Sequence, residues 1–366
     1  MMLRVGIVGL PNVGKSSLFN ALTAAGAPSD NYPFCTVDPN VGTVEVPDPR
    51  LDTIHALSAS ASRVPTVIQF VDIAGLVEGA SEGEGLGNQF LANIREVDAI
   101  AHVLRCFDDA DVAHVSGRVD PVRDRDVVET ELALADLELV ERRLERVDKK
   151  ARSGEKDAIR EAAALRKALD PLQEGHPVRT ATLSDEDVAI LRQYQLLTMK
   201  PVLYVANVGE EDLPSGRNRW TEALEAAIGP EGEAEMVAVC SAMEAELAEL
   251  DDGARTEFLE HLGLHERGLD RLIHAAYHLL GLITFFTTGE KESRAWTVRR
   301  GTRAPEAAGA IHSDFERGFI RAETVGYETF ARAGSWKSAR DQGLLRSEGK
   351  DYVVEDADIM LFRFNV

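Results

Sequence analysis

The chain has 366 residues, 44% of them hydrophobic and 28% charged, and a net charge of −22. That length calls for two or three domains, and so acidic a chain excludes a surface that attracts nucleic acid all over. Cys35, Cys106 and Cys240 lack C-x-x-C spacing, which argues against a disulfide scaffold or a zinc site.

The first element is a short apolar run, Leu3, Val5, Ile7 and Val8, suited to a buried parallel strand. The chain enters it at once, so no signal peptide is expected, and no later apolar run approaches the ~20 residues of a membrane span. A reducing cytoplasm is the expected location, with no membrane partner. Directly after the strand comes Gly9-Leu-Pro-Asn-Val-Gly14-Lys15-Ser16, the phosphate-cradling pattern G-x-x-x-x-G-K-S. Apolar residues at helical spacing, Leu18, Phe19 and Leu22, follow it. Strand, glycine loop and helix together point backbone N–H groups and a helix N-terminus at phosphate oxygens. Asn12, Val13, Gly14 and Ser17 supply loop and helix-start contacts. Lys15 reaches the β- and γ-phosphates, and the Ser16 hydroxyl holds Mg2+.

Next, Asn31-Tyr-Pro-Phe-Cys-Thr36 reads as a Pro-punctuated loop, and Val41–Val46 alternates like a strand before a turn at Pro47-Asp-Pro-Arg. Thr66–Asp72 is another strand, ending in Asp72-Ile-Ala-Gly75. The glycines at 79, 83, 85 and 87 mark a loop rather than a core element. A helix opens near Phe90, and Ala99–Phe107 is a buried strand. From about Glu129 the seam Ala133, Leu137, Val140, Leu144 and Val147 steps by four and three, as in a coiled coil. Ser153-Gly-Glu-Lys breaks it, and a second run through Ile159, Ala162, Leu165, Leu169 and Leu172 completes an antiparallel hairpin. Pro201–Asn207 and Glu235–Ser241 return to parallel-strand patterns, and the acidic run from Glu244 to Asp252 reads as a solvated helix face. The fold class is therefore α/β: a doubly wound P-loop domain interrupted by a helical hairpin. From Leu282 short strands recur around 283–289, 295–298, 319–325 and 359–364, with helices around 304–311 and 335–342, which suggests a small α+β domain. Between Lys291 and Lys350 twelve Lys/Arg face eight Asp/Glu, a basic island that is either chance or a polyanion-facing module.

Two further pieces narrow the phosphate site. Asp72-Ile-Ala-Gly75 fits D-x-x-G, in which Asp72 holds Mg2+ through water and the Gly75 N–H faces the γ-phosphate. Thr36 lies where a loop hydroxyl completes the Mg2+ shell while the γ-phosphate is present. This ordered set is the layout of translation-factor-type GTPases.

The chain resembles the Obg-like ATPases, or YchF family, within the Obg-related P-loop proteins. The resemblance rests on Gly6–Ser16, Asn31–Thr36, Asp72–Ala80, Gly83–Asn88 and the end Met360-Leu-Phe-Arg-Phe-Asn-Val, and it covers essentially the whole chain. It implies a nucleotide-binding G domain over 1–122 and 200–278, a helical coiled-coil insertion over 123–199, and a C-terminal β-grasp (TGS) domain over 279–366. It also implies ATP as substrate, ribosomal particles as partner and a role in translation or stress response. Contact with rRNA through the helical and TGS domains is expected, and DNA sequence recognition is not.

Base choice separates ATP from GTP. GTPases read guanine with N-K-x-D, whereas here Asn207-Val208-Gly209-Glu210 puts Val for Lys and Glu for Asp. A longer Glu misplaces the carboxylate for guanine N1 and N2, and the lost contacts would cost several kcal/mol. The resemblance places Asn207 and Val208 at the base and Phe107 against its ring, although Phe107 at a strand end is equally readable as core. Ser241 falls where related proteins carry a base-contacting loop.

The hydrolytic group is less plain. Leu76 follows D-x-x-G where Ras-like proteins carry a water-orienting Gln, so unaided hydrolysis should be slow. His114, on the polar stretch Asp111–Gly117, matches a histidine proposed for that role in the family; His102, mid-strand, reads as a core residue. The leading expectation is an ATP-driven switch. An Obg-type GTPase and a nucleotide-stabilised scaffold that does not turn over remain open.

Overall fold

The computed structural model describes residues 3–24, 40–73, 86–109, 112, 114, 117–229 and 235–365. Its strands are β1 (Arg4–Val8), β2 (Val41–Glu45), β3 (Ser62–Val64), β4 (Val67–Asp72), β5 (Ala99–Cys106) and β6 (Val202–Val208). There follow β7 (Glu235–Val239), β8 (Leu282–Thr288), β9 (Glu292–Arg299), β10 (Phe319–Gly326), β11 (Arg346–Glu348) and β12 (Asp358–Phe364). The helices begin with α1 (Lys15–Ala24), α2 (Pro49–Ser58), α3 (Leu86–Arg95), α4 (Pro121–Arg152), α5 (Lys156–Gln173), α6 (Asp185–Leu191) and α7 (Arg219–Ile228). They continue with α8 (Ser241–Glu249), α9 (Asp252–His261), α10 (Gly268–Leu279), α11 (Ala304–Ile311), α12 (Ser313–Arg317), α13 (Tyr327–Ala333) and α14 (Trp336–Asp341).

The first sheet has the order β2-β4-β1-β5-β6-β7. Its pairs β4–β1, β1–β5, β5–β6 and β6–β7 are parallel, so these strands end along one edge. Parallel strands covered on both faces read as unbroken apolar runs, and every residue of β5 and of β6 is buried. This is the doubly wound sheet expected from the sequence.

Two long helices enter between β5 and β6. Asp120 caps α4, its side chain accepting from the Arg123 amide, and Pro121 takes the first helical position. The hairpin with α5 closes on its own core, in which Val140, Ala162, Leu165 and Ala168 are fully buried. Of the seam residues, Ala133, Val140 and Val147 are buried while Leu137 and Leu144 are partly so. The helix starts eight residues before the expected Glu129, because Asp120 and Pro121 cap and open it ahead of the apolar seam. Asp136, buried on α4, accepts from the Leu197 and Thr198 amides and the Thr198 hydroxyl, fastening the return of the chain toward β6.

The second sheet runs β11-β10-β12-β8-β9-β3 and mixes parallel with antiparallel pairs. Helix α11 packs Ala304, Ala307 and Ala308 among Ile283, Phe285, Met360 and Phe362, giving the C-terminal region its expected α+β character. Residues 43–68 belong to the same compact unit as this sheet. Strand β3, inside the 1–122 span that the resemblance gives to the nucleotide-binding domain, pairs with β9 of the second sheet. The supposed turn at Pro47-Asp-Pro-Arg is the start of helix α2: Asp48 caps it, Pro49 opens it, and Leu51 and Ile54 bury against Phe286 and Phe330.

Candidate functional site

Strand β1 delivers the chain to the loop Gly9–Gly14, and α1 starts at Lys15. Asn12 sits in the left-handed region at φ 62, and Gly14 at φ 98. A side chain at Gly14 is also sterically barred, since its Cβ would lie 2.2 Å from Asn207 Nδ2. The Leu18 amide bonds to the Gly14 carbonyl at 3.0 Å, closing the first helical turn. The free amides of that turn are the donors a phosphate needs.

Lys15 is buried, and its Nζ donates to the Leu10 carbonyl at 2.6 Å. Burial pushes its ammonium down to about 8, with Asp72 acting in the other direction. Asp72, at the end of β4, has its carboxyl raised by burial, with Lys15 opposing. Opposite charges thus face one another with desolvation the larger effect on each, and a phosphate with a cation would complete both. The donor set fits a hard divalent ion: the exposed Ser16 hydroxyl and the Asp72 carboxylate are oxygen ligands of the kind Mg2+ combines with water and phosphate. Among the described residues no group of three His, Cys, Asp or Glu is placed to hold a metal ion.

Beside the loop lies a cavity of about 540 Å3. Its walls are Asn12, Gly14 and Ser17, then Phe107–Asp109 and Val112 after β5, Asn207–Glu211 after β6, and Cys240–Ala242 after β7. The structure thus brings Phe107, Asn207, Val208, Glu210 and Ser241 together around one cavity, from the ends of three strands. Asn207 is 4% exposed and both ends of its amide are engaged: Nδ2 donates to the Val13 carbonyl at 2.9 Å, and Oδ1 accepts from the Ser241 amide at 3.0 Å. It is a tether between the phosphate loop and the start of α8 as well as a wall of the cavity. Val208 is buried and Glu210 exposed, at the first position of a 3-10 turn. Ser241 is buried, and its Oγ has no hydrogen-bond partner among the described residues.

His114 is not on an open polar loop. Its Nε2 lies 2.9 Å from Asp124 Oδ2 in the first turn of α4, and the two side chains are only 4% and 2% exposed. Burial raises the Asp124 carboxyl, with His114 opposing. His114 is absent from the walls of the cavity, since the root of α4 holds its ring elsewhere. Thr36, Gly75 and Leu76 lie outside the described residues. His102 is buried and held neutral by desolvation, at about 3, as a core histidine would be.

Two residues escaped the sequence reading. Arg105, in the fully buried β5, donates to the carbonyls of Phe107, Asp109 and Val112. Asn218 caps α7 and gives its amide to the Cys106 carbonyl and the Asp212 carboxylate, both at 2.7 Å. The signal for Arg105 was present: a guanidinium inside an unbroken apolar run is rarely idle.

Comparison with known proteins identifies the family. Residues 4–131 match the family model MMR_HSR1, described as "50S ribosome-binding GTPase", and residues 282–365 match that of the YchF GTPase C-terminal region, described as "Protein of unknown function (DUF933)". The "Ribosome-binding ATPase YchF" of Bacillus subtilis is 54% identical, and that of Escherichia coli O157:H7 is 52% identical, each over all of both chains. The solved structure titled "Structure of the Schizosaccharomyces pombe YchF GTPase" superposes with a TM-score of 0.88 at 38% identity, covering 99% of this chain and 97% of the other. A GTP binding protein from Pyrococcus horikoshii, 17% identical with a TM-score of 0.61, shares the fold over 99% of this chain and 100% of its own.

Proposed function

The chain belongs to the YchF family, and from that premise we propose that it is a ribosome-binding ATPase, working with Mg2+ as a slow switch in translation or stress regulation. The names of its relatives disagree on the nucleotide, one saying ATPase and another GTPase. The observation that favours ATP is the wall after β6, where Val208 is buried and Glu210 stands at the mouth of a turn. Neither supplies the Asp carboxylate or the Lys that guanine recognition uses. Adenine asks for an acceptor at its amino group and a donor at N1, which backbone and amide groups can give.

In this reading Gly9–Ser17 bind the phosphates, and Lys15 neutralises charge on the β- and γ-oxygens. Ser16, Asp72 and Thr36 would hold Mg2+, which supplies further charge neutralisation when bound. Gly75 supplies an amide to the γ-phosphate. Phe107 packs on the base and Asn207, Val208, Glu210 and Ser241 frame it. We keep His114 as the residue that orients the hydrolytic water, with Asp124 fixing its ring as a carboxylate fixes a general base.

We assign residues 1–122 and 200–278 to the nucleotide-binding domain, 123–199 to the helical insertion and 279–366 to the TGS domain; residues 43–68 and 273–278 belong to the compact unit of the C-terminal sheet. The rRNA contact falls to the last two. Lys149, Lys150 and Arg152 crowd the last turn of α4 and Lys156 opens α5, a basic end on a chain of net charge −22. No helix among the described residues is long and apolar enough to cross a membrane, and a ribosomal partner supports a cytoplasmic location. Side-by-side titration with ATP and GTP tests the base reading, and a tenfold preference for GTP would overturn it. Phosphate release over many turnovers, lost in Lys15→Ala, separates an enzyme from a nucleotide-stabilised scaffold.

A further inference from the structure

We infer that Arg105 is a positioning residue that shapes the β5 side of the nucleotide cavity and sets its grip on the base. The inference rests on the cavity being the nucleotide site. Arg105 is 1% exposed and, among the described residues, heads the large side chains that are fully buried. A guanidinium stays charged at all ordinary pH, so burial is tolerable only when its fixed fork of donors is met. Here the fork is met by the loop that follows it: Nε donates to the Phe107 carbonyl at 3.2 Å, Nη2 to Asp109 at 3.1 Å and Nη1 to Val112 at 2.9 Å. The guanidinium carbon also lies 4.7 Å from the centre of the Phe107 ring, within cation–π range.

Each residue that Arg105 holds by its carbonyl lines the cavity, while Arg105 itself does not. It therefore acts through them. Carbonyls at three steps along a loop, gathered on one planar group, define the loop's curl far more tightly than a point charge could. The same group touches the ring, so it limits how Phe107 can turn. The phosphates are held elsewhere, by Gly9–Ser17, and the guanidinium of Arg105 is directed to the carbonyls of Phe107, Asp109 and Val112 instead. Disturbing it should weaken the grip on the nucleoside and spare the grip on phosphate.

The test uses the full chain as wild type, Arg105→Lys and Arg105→Gln, each with and without Phe107→Ala. ATP, GTP and inorganic tripolyphosphate are titrated calorimetrically with Mg2+, alongside melting temperature and ATP turnover. Losing a base–aromatic contact corresponds to roughly tenfold or more in affinity. The expected result is that Arg105→Lys, which keeps the charge but not the fork, weakens ATP by about that factor and shifts KM more than kcat. Tripolyphosphate binding should stay within about twofold, and the effect on ATP should shrink below about threefold once Phe107 is already alanine. Unchanged ATP affinity overturns the inference. So does a loss equally large in the Phe107→Ala background, or equal loss of ATP and tripolyphosphate, which would make Arg105 a general fold residue. Arg105→Gln, with an uncharged amide in the same place, carries the comparison should Arg105→Lys not fold. If the wild type prefers GTP, the adenine reading fails while the Arg105 comparison proceeds with GTP.

Discussion

Replacing Asn207 by leucine keeps the number and branching of its side-chain heavy atoms and removes both ends of its tether. The Val13 carbonyl, in a residue 1% exposed, and the Ser241 amide, in one 2% exposed, would each lose their Asn207 partner. A buried polar group left unpaired costs about 1–3 kcal/mol, so the total is ~2–6 kcal/mol, toward the lower end where water in the cavity reaches the orphaned groups. Part of this appears as lost stability and part as a displaced phosphate loop; at ~1.4 kcal/mol per factor of ten, an ATP affinity loss of at least about tenfold is expected. Asn207→Asp is the sharper companion. It retains an acceptor for the Ser241 amide but sets a carboxylate oxygen against the Val13 carbonyl. Urea unfolding gives the stability cost, ATP titration the binding cost, and hydrogen exchange of the Ser241 amide tells the two bonds apart. That amide should exchange faster in the leucine variant and stay protected in the aspartate variant, while both bind ATP poorly. Wild-type ATP affinity in both variants would refute the tether.

Three other perturbations follow from the same geometry. Gly14→Ala sets a methyl group 2.2 Å from the Asn207 amide in a left-handed backbone, so nucleotide binding should be lost and the melting temperature lowered; an alanine variant that binds ATP normally contradicts this. Val208→Lys combined with Glu210→Asp should move the ATP-to-GTP affinity ratio at least about tenfold toward GTP, and an unmoved ratio in competition titrations would show that the base is read elsewhere. Asp187, in the capping box of α6, is held down to about 2 by Lys167 and then by the Ser184 hydroxyl and amide. Its folded pKa lies below the unfolded value near ~3.9, so its stabilising effect is full above pH ~4 and lost as the pH falls through about 2. Asp187→Asn should flatten the acid loss of helical structure in that window, and an acid transition identical to wild type counts against the assignment.

The phosphate loop, Asp72, Asn207 and Ser241 were legible because each follows an apolar strand at its C-terminal end, where a periodic pattern stops and a turn begins. What escaped was set by distant partners. Strand β3 has three residues, two exposed and one half-buried, so no local pattern marks it; pairing with β9 makes it a strand. Helix α2 and the first turns of α4 did announce themselves, through Asp-Pro at cap and first position, but the same dipeptide also opens turns and the apolar spacing was too sparse to choose. His114 looked exposed from its polar neighbours, and only the fold of α4 brings Asp124 to cover it. An arginine inside the apolar run of β5 marks Arg105 as an engaged residue, but its partners are carbonyl oxygens, which every residue carries, so the pattern does not tell what it holds.

The order of the strands gives the site a direction. Taken across the sheet, β4 carries Asp72, β1 the phosphate loop, β5 Phe107, β6 Asn207 and β7 Ser241, so the phosphate-side residues occupy one pair of strand ends and the cavity walls the next three. The helical insertion leaves from the cavity side, between β5 and β6. Its root is joined to the cavity wall by short steps: Arg105 holds Val112, and two residues on His114 meets Asp124 in the first turn of α4. Helix α4 has 32 residues, a rod of about 48 Å. A tilt of roughly 5° at the root would carry the far end about 4 Å, and that end bears Lys149, Lys150 and Arg152. Any change of tilt at the root of α4 would thus be larger at that basic end than at the cavity wall.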